Sequence, residues 1–199
     1  MKRVDFLVIG GGIAGLTYAL KVANHGSVAI LFKKDTDTSS TLWAQGGIAA
    51  VVQPDDSFDL HIEDTLTCGA GLCNSEVVRL VVTEGPERVR ELIARGAHFD
   101  TEPSGEFHLH REGGHSRRRI FHAGDATGFE IQRALLDAVS RHPNIELIRF
   151  ASAIDLITTH KIGLSLEARN KVLGAYVLRG DAPIEPILAV LQGIDETGR

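Results

Sequence analysis

The pattern of hydrophobic and polar positions predicts three elements within the first forty residues. Residues 3–10, RVDFLVIG, form an apolar run typical of a short buried strand, and residues 27–34, SVAILFKK, predict a second one. Between them, residues 11–26 carry apolar side chains at helical spacing and end at Gly26. A strand, a helix and a strand in this order indicate a βαβ unit with parallel strands, and therefore an α/β fold.

The middle of the chain carries helical patterns. A helix begun by Asp56 is predicted over about residues 57–67, and a second, largely buried one over residues 75–84, where valine and leucine are frequent. Residues 85–96 predict a third, with Pro86 in the first turn, where its missing N–H does no harm. A fourth, over residues 128–143, is amphipathic. Its apolar face consists of Ile131, Leu135, Leu136 and Val139.

Strand patterns return towards the end of the chain. Residues 144–150 predict a strand, and residues 153–159 and 171–179 alternate well enough to form a further β-pair. Residues 34–54 show neither the helical nor the strand repeat of apolar residues, which predicts a loop. A loop of that length inside a compact domain is usually functional. The last stretch, residues 180–199, continues no earlier pattern.

Composition indicates an ordinary globular protein without a general affinity for polyanions. The 199 residues are 43% hydrophobic and 24% charged, and the net charge of −5 argues against nucleic acid and anionic membranes as partners. The uncharged run Phe6–Leu20 is rich in glycine, unlike a signal peptide, and is shorter than the roughly 20 residues of a membrane span. Cys68 and Cys73 fit neither a redox CxxC nor a zinc half-site, so we expect two reduced thiols and a cytoplasmic protein.

A glycine-rich turn between the first strand and the first helix predicts a dinucleotide site. Glycines at positions 10, 12 and 15 give a GxGxxG pattern, which lets a pyrophosphate approach bare backbone at a helix N-terminus. Lys33 and Lys34 stand where an acidic residue usually binds a ribose hydroxyl. From the residues alone, FAD, a 2′-phosphorylated nicotinamide and simple exposure of the lysines to water all remain open. The candidate binding residues are Gly10, Gly11, Gly12, Ile13, Ala14, Gly15 and Lys33.

A second motif resembles a known family. SSTLWAQGGIAAV, residues 39–51, is similar to the flavin-contacting loop of the fumarate reductase, succinate dehydrogenase and L-aspartate oxidase family. The resemblance implies FAD, with a basic residue at Lys33 as in the aspartate oxidase branch. The histidine that holds flavin covalently in succinate- and fumarate-linked members falls at Ser40, which implies a non-covalent cofactor. The implied flavin contacts are Ser40, Thr41, Leu42, Trp43, Ala44, Gln45, Gly46 and Gly47.

A third motif, REGGHSRRRIFHAGDATG at residues 111–128, resembles the signature of the aspartate oxidase branch. The resemblance implies that Glu112 orients the substrate, and the chemistry agrees, because L-aspartate brings an ammonium group that needs an anion. The implied reaction is oxidation of L-aspartate to iminoaspartate with oxygen or fumarate as electron acceptor, supplying quinolinate synthase in NAD biosynthesis. The resemblance assigns no role to Arg117, Arg118 or Arg119.

Several histidines in and beside this motif raise the hypothesis of a metal site. His108 and His110 form an HxH pair, which can bind zinc from one strand, and His115 and His122 follow. The further ligands have no fixed spacing and no cysteine lies near. The sequence therefore predicts no metal.

The resemblance implies a Rossmann-like FAD-binding domain with a parallel sheet and a small β-meander, incomplete relative to the family. Residues 1–179 are expected to form the N-terminal part of that domain and residues 180–199 a divergent tail, without the capping domain, the C-terminal helical domain or the acid–base arginine. Apolar surface is then expected to be exposed. Two alternatives are a succinate or fumarate oxidoreductase flavoprotein, which Ser40 and Glu112 disfavour, and a truncated FAD-binding module without turnover.

Overall fold

A computed structural model describes residues 1–36, 38–163, 169–180 and 182–189. The chain divides into two compact units, Met1–Ser40 with Leu136–Arg199, and Thr41–Leu135. The elements in chain order are β1 (Lys2–Val4), β2 (Phe6–Ile9), α1 (Ile13–Val22), β3 (Val28–Leu31), β4 (Ile48–Ala49), α2 (Phe58–Cys68), α3 (Ser75–Ala94), β5 (Ile120–Phe121), α4 (Thr127–Ser140), β6 (Ile145–Ile148), β7 (Ala151–Thr158), β8 (Val172–Arg179) and β9 (Glu185–Ala189).

The first unit contains the predicted βαβ arrangement. Strands β2, β3 and β6 form a parallel sheet in that order, with β3 in the centre and α1 connecting β2 to β3. All four residues of β3 are buried, as expected for a central parallel strand that is covered on both faces. The α/β fold with a parallel sheet is thus confirmed.

A second sheet in this unit has the order β1-β9-β8-β7. The predicted pairing of residues 153–159 with 171–179 is confirmed as the antiparallel pair β7 and β8. Strand β9 extends it into a meander and pairs in parallel with β1. One cluster in the core of this unit consists of eight buried residues: Val4, Ala29, Leu31, Ile148, Ala151, Ala175, Val177 and Ile187.

The prediction of one strand over residues 3–10 is wrong. The chain divides at Asp5 into β1 and β2, which belong to different sheets. The Asp5 carboxylate accepts hydrogen bonds from the backbone N–H and the hydroxyl of Ser27, both at 2.7 Å. These bonds hold the chain at the point where it passes from one sheet to the other.

The terminal stretch differs from its expectation where it is described. Glu185–Ala189, which continue no earlier pattern in the sequence, form β9 in the second sheet. Residue 181 and residues 190–199 of the expected divergent tail lie outside the described residues.

The second unit contains α2, α3, the antiparallel pair β4 and β5, and the start of α4. Ser57, not Asp56, is the N-cap of α2, and its side chain accepts a hydrogen bond from the Leu60 N–H. The two helices predicted over residues 75–96 are one helix, α3, with Pro86 in its interior. Proline removes the bond to the Val82 carbonyl but does not end this helix, because both residues are buried against the unit. Gly96, with φ +92°, follows its end as predicted.

The first half of α3 is not largely buried, contrary to the prediction. Val82, Pro86, Val89 and Leu92 are buried, whereas Val77, Leu80 and Val81 are 53%, 55% and 65% exposed. Successive residues turn by 100°, so these three lie on the opposite face of the helix. Helix α4, by contrast, buries Ile131, Leu135 and Val139 as expected. None of the helices in the described ranges has the length and apolar content needed to cross a bilayer.

Candidate functional site

The glycine turn of the first unit combines one glycine at positive φ with two glycines in tight packing. Gly10 has φ +106°, a conformation that favours glycine, and an added side chain there would meet no atom within 4 Å. Helix α1 begins just after it, with Gly12 as the N-cap residue. A Cβ on Gly15 would lie 2.0 Å from the Gly10 carbonyl oxygen, and one on Gly11 1.8 Å from the Phe32 ring. Gly11 and Gly15 are thus required by packing, whereas Gly10 faces open space.

Lys33 lies beside this turn. Gly10, Lys33 and Leu31 line one cleft of about 490 Å³, which also involves the start of β7. Ile13 and Ala14, in the first turn of α1, are exposed. The fold therefore places the predicted lysine and Gly10 along the same cleft.

The loop Thr41–Gly47 in the second unit is anchored at both ends. In the first half of the loop, which ends at Ala44, the Ala44 carbonyl accepts a hydrogen bond of 2.9 Å from the Gly128 N–H in the first turn of α4. A Cβ on Gly128 would lie 1.9 Å from the Thr41 carbonyl oxygen, so the loop packs directly on the helix. At its end, Ile48 pairs with Phe121 in the β4–β5 ladder. The loop conformation is fixed by the protein itself.

The apex of this loop presents backbone and polar groups to solvent. Gln45 and Gly46 are exposed, and Trp43 is 73% exposed. A Cβ added to Gly46 meets no atom within 4 Å, whereas one added to Gly47 lies 2.2 Å from Ile120 and 2.3 Å from the Phe121 carbonyl oxygen. The two glycines therefore differ: Gly47 is needed for packing, and Gly46 leaves its backbone open. Ser40, at the end of the first unit, is exposed.

Glu112 lies in a large polar cleft of the second unit. The cleft has a volume of about 1010 Å³, and Glu112, Arg111, Arg117 and Arg118 line it together. Glu112 is exposed, so its carboxylate is accessible from the cleft. Asp55 and Glu102 also line this cleft, so it combines three carboxylates with three guanidinium groups.

Arg119, in contrast, is a structural residue. Its side chain is fully buried and donates from Nε and Nη2 to the two oxygens of Asp56, at 2.8 and 2.7 Å. Nη1 donates to Asp64 Oδ2 at 2.6 Å. The backbone N–H and hydroxyl of Ser116 also donate to this oxygen, both at 2.8 Å. These bonds attach the arginine-rich segment to α2, through Asp64, and to the residue just before its N-cap, Asp56.

Three ionisable side chains near Arg119, those of Asp56, His61 and Asp64, have lowered pKa values. Burial raises the pKa of Asp64, but the bonds from Ser116 and Arg119 outweigh it, so the pKa falls to about 2. Burial opposes ionisation of Asp56 as well, and the Arg119 bond still lowers its pKa. His61 has a lowered pKa because it is buried and lies near Arg119 and His115. The Arg119 cation with two carboxylates is thus the stable charge state at neutral pH.

Three of the four histidines considered for a metal meet in space. His108, His110 and His122 each offer a ring nitrogen, and these atoms lie within 4.8 Å of one another. His115 has other partners, since its ring lies 5.5 Å from that of His61 and its Nδ1 is 3.3 Å from Arg119. Sequence spacing did not reveal the cluster, because His122 reaches it through the pairing of His110 with Ile120.

Comparison with known proteins gives a consistent picture of relatives. Residues 5–189 match the family described as "FAD binding domain". The chain is 59% identical over 158 residues to L-aspartate oxidase 2-a, chloroplastic, of Nicotiana tabacum, covering 79% of this chain and 24% of that protein. It is 47% identical over 185 residues to the L-aspartate oxidase of Vibrio cholerae, covering 90% and 34%. The chain therefore spans about a quarter to a third of the length of these relatives.

Solved structures with the same fold include an Sdh1 complex and a quinol fumarate reductase. The Mycobacterium smegmatis Sdh1 complex in the apo form is 31% identical with a TM-score of 0.81, over 95% of this chain and 34% of the matched chain. The Escherichia coli quinol fumarate reductase FrdA is 27% identical with a TM-score of 0.84, over 94% and 32%. The described fold is that of the corresponding part of these proteins.

Proposed function

This chain belongs to the FAD-binding domain family, since the match covers residues 5–189, and from that premise we propose that it is the N-terminal, FAD-binding portion of an L-aspartate oxidase. Its cofactor is FAD. The relatives at 47% and 59% identity carry the aspartate oxidase name, whereas the Sdh1 and fumarate reductase chains cited above are 31% and 27% identical.

The residues of each unit fit a part of FAD. In the first unit, the open backbone of Gly10, the N-terminus of α1 and Lys33 suit the pyrophosphate and ribose end. In the second unit, the apex of Thr41–Gly47 suits an isoalloxazine ring, because Gly46 has no atom within 4 Å of its missing side chain. We assign Gln45 a polar contact to the ring. Ser40 offers no imidazole for a covalent bond, so the cofactor is held non-covalently.

The substrate of the proposed enzyme is L-aspartate, and bound FAD supplies the two-electron acceptor for its oxidation to iminoaspartate. Glu112 accepts hydrogen bonds from the α-ammonium group and thereby orients the substrate. Arg111, Arg117 and Arg118 line the same cleft and offer guanidinium donors to the two carboxylates of the substrate. The identity of 59% and 47% to proteins named L-aspartate oxidase is the observation that carries the substrate assignment, and the cleft supplies a carboxylate and arginines close together.

The proposed context is a reducing compartment. Cys68 and Cys73 are both free thiols, as expected for a cytoplasmic protein. Oxygen or fumarate is the proposed final electron acceptor. Quinolinate synthase is the proposed consumer of iminoaspartate on the route to NAD.

One experiment separates the candidate functions. The purified chain is incubated with FAD and desalted, its visible spectrum is recorded without oxygen before and after L-aspartate, and part of the sample is precipitated with acid. We expect a flavin band and a flavin that enters the acid supernatant. Bleaching by L-aspartate but not by succinate supports aspartate oxidation directly.

The other outcomes favour the alternatives. Flavin retained in the acid pellet supports a succinate or fumarate oxidoreductase. A flavin band that L-aspartate leaves unchanged supports an FAD-binding module without turnover. Absence of any flavin band contradicts the assignment of Gly10–Gly15 and Thr41–Gly47.

A further inference from the structure

The three clustered histidines are brought together by two extended segments. The backbones of His110 and Ile120 form an antiparallel bridge, with the His110 N–H donating to the Ile120 carbonyl at 3.0 Å. Side chains two residues apart in an extended segment point to the same face. His108 therefore lies on the face of His110, and His122 on that of Ile120. The ring of His110 stacks on that of His122 with 3.6 Å between centroids, and the His108 ring lies 4.9 and 5.1 Å from the two.

His122 is already oriented as a metal ligand. Its Nδ1 lies 3.0 Å from Asp100 Oδ2, so the carboxylate holds the proton on Nδ1 and leaves the lone pair on Nε2. His122 is only 7% exposed, and its buried Nε2 has no hydrogen-bond partner among the described residues. A buried nitrogen without a partner is costly. A carboxylate on the far nitrogen of a histidine is the usual outer contact of a zinc ligand.

The Asp100 carboxylate is itself held in place. Its Oδ2 also accepts a hydrogen bond of 2.9 Å from the Gly124 N–H, and the Asp100 N–H donates to the His122 carbonyl at 2.8 Å. The His108 N–H donates to the Asp100 carbonyl at 2.9 Å. One residue thus connects two of the three histidines through its backbone and orients one of them through its side chain.

We propose that His108, His110 and His122 form a binding site for a divalent transition-metal ion, with Zn²⁺ as the ion that fits it. Imidazole nitrogens suit zinc and its neighbours, whereas Mg²⁺ and Ca²⁺ prefer oxygen. The ligand atoms now lie within 4.8 Å of one another, and to reach the roughly 2.0 Å Zn–N distance the His110 ring has to rotate out of its stack on His122. His108 is half-buried and His110 is more exposed, so both rings have room to move.

The site adjoins the cleft of Glu112 but does not depend on the proposed oxidation. His108 and His110 both line that cleft. Three nitrogen ligands leave the fourth tetrahedral position of zinc open, and water fills it in such sites. Metal binding is therefore measurable on the chain alone, without flavin and without turnover, so its failure is distinct from failure of the proposed function.

Zinc titration of the 199-residue chain tests the site. Calorimetry with Zn²⁺ is expected to show one ion per chain with a Kd at or below about 10 μM, corresponding to roughly 7 kcal/mol, and no binding of Mg²⁺. Co²⁺ in place of Zn²⁺ is expected to give the intense visible absorption of a tetrahedral site. His110→Gln and His122→Gln should each lower the affinity for zinc at least tenfold, and Asp100→Asn should lower it by about 10- to 100-fold.

His25→Gln is the matched control, because His25 is exposed and lies in the first unit. It should leave the zinc affinity within twofold of the parent. Circular dichroism verifies the fold of each variant, and if His122→Gln does not fold, His110→Gln decides. A chain that fails to bind Zn²⁺ below about 100 μM overturns the proposal. So does a folded His110→Gln variant with unchanged affinity.

Discussion

The Arg119 guanidinium binds both carboxylate oxygens of Asp56 through parallel hydrogen bonds of 2.8 and 2.7 Å, and both side chains are fully buried. A bidentate pair of this kind combines charge with a fixed geometry. Arg119 therefore stabilises the fold, whereas its neighbours Arg117 and Arg118 line the cleft of Glu112. Three adjacent arginines thus have two different tasks.

Replacing Arg119 is expected to destabilise the chain strongly. Arg119→Met leaves the buried Asp56 carboxylate and much of Asp64 without their cation, which costs about 3–5 kcal/mol of the free energy of unfolding. Arg119→Lys keeps the positive charge but cannot form both parallel hydrogen bonds to Asp56. Its loss of unfolding free energy should therefore be smaller than that of Arg119→Met. Urea denaturation followed by circular dichroism measures both. Arg117→Met, at an exposed position, is the control and should stay within about 1 kcal/mol of the parent; an equal loss in both methionine variants contradicts the structural role.

Glu130 should make stability depend on acidic pH. Hydrogen bonds from Arg133 and His98 lower its pKa from 4.5 to about 2, and its side chain is 15% exposed. Because the folded pKa lies below the unfolded one, the stabilisation is complete above pH 4.5 and is lost as the pH falls towards 2. Glu130→Gln is expected to cost on the order of 1 kcal/mol at pH 7, with a difference that narrows between pH 5 and 3.

Denaturation series at several pH values test this dependence. Glu87→Gln serves as the control, because Glu87 is exposed and pairs with Arg90 on the surface of α3. Its effect should be small at every pH. A Glu130→Gln deficit that stays constant down to pH 3 would show that the carboxylate does not carry the effect.

The elements near the glycine motif were predictable because their signals are local. GxGxxG stands between a strand and a helix in the sequence as in the structure, and the apolar face of α4 repeats with the helical period. The division at Asp5 was not predictable, since it depends on the partner Ser27, which is distant in sequence. Gly85 and Pro86 indicated a helix boundary, yet tertiary burial keeps α3 continuous.

The motif predicts a candidate site in the arginine-rich segment, but it does not separate the structural residue Arg119 from Arg117 and Arg118, which line the cleft. Nothing in the sequence distinguishes Arg119 from its two neighbours, because the distinction comes from Asp56 and Asp64 of another segment. The histidine cluster was missed for the same reason. His122 joins His108 and His110 only when the two extended segments pair, and no spacing rule contains that pairing.

Gly46 and Gly47 should respond differently to alanine. In Gly46→Ala the new methyl meets no protein atom, so the free energy of unfolding should change by no more than about 0.5 kcal/mol. Its FAD affinity should still fall at least tenfold, because the methyl occupies the space assigned to the flavin. Gly47→Ala places a methyl 2.3 Å from the Phe121 carbonyl oxygen and should cost about 1–3 kcal/mol. Fluorescence titration with FAD and urea denaturation measure the two effects; unchanged FAD binding in Gly46→Ala removes the loop from the cofactor site.

The exposed face of α3 should limit solubility. Val77, Leu80 and Val81 form an apolar stripe there, with exposures of 53–65%, and stripes of this kind promote association. The double substitution Val77→Lys and Val81→Glu is expected to raise the soluble yield and to change the unfolding free energy by less than about 1 kcal/mol. Light scattering at increasing concentration measures the association. Val82→Lys is the opposite control, because Val82 is buried and its replacement should unfold the helix packing.

Glu112 should distinguish L-aspartate from succinate, which differ by one ammonium group. A charge-assisted hydrogen bond contributes about 1.5–3 kcal/mol. Glu112→Gln is therefore expected to weaken the binding of L-aspartate by about tenfold or more, and the binding of succinate by much less. Because the glutamine has nearly the same shape, the cleft and its arginines should be preserved. Affinities are measured from the perturbation of the flavin spectrum by each ligand, or as the KM of each where turnover occurs. Glu102→Gln is the matched control, since Glu102 lines the same cleft beside His108 and has no assigned contact with the ammonium. Equal weakening of both ligands by Glu112→Gln, or a similar preference change in Glu102→Gln, would remove the ammonium contact from the proposed site.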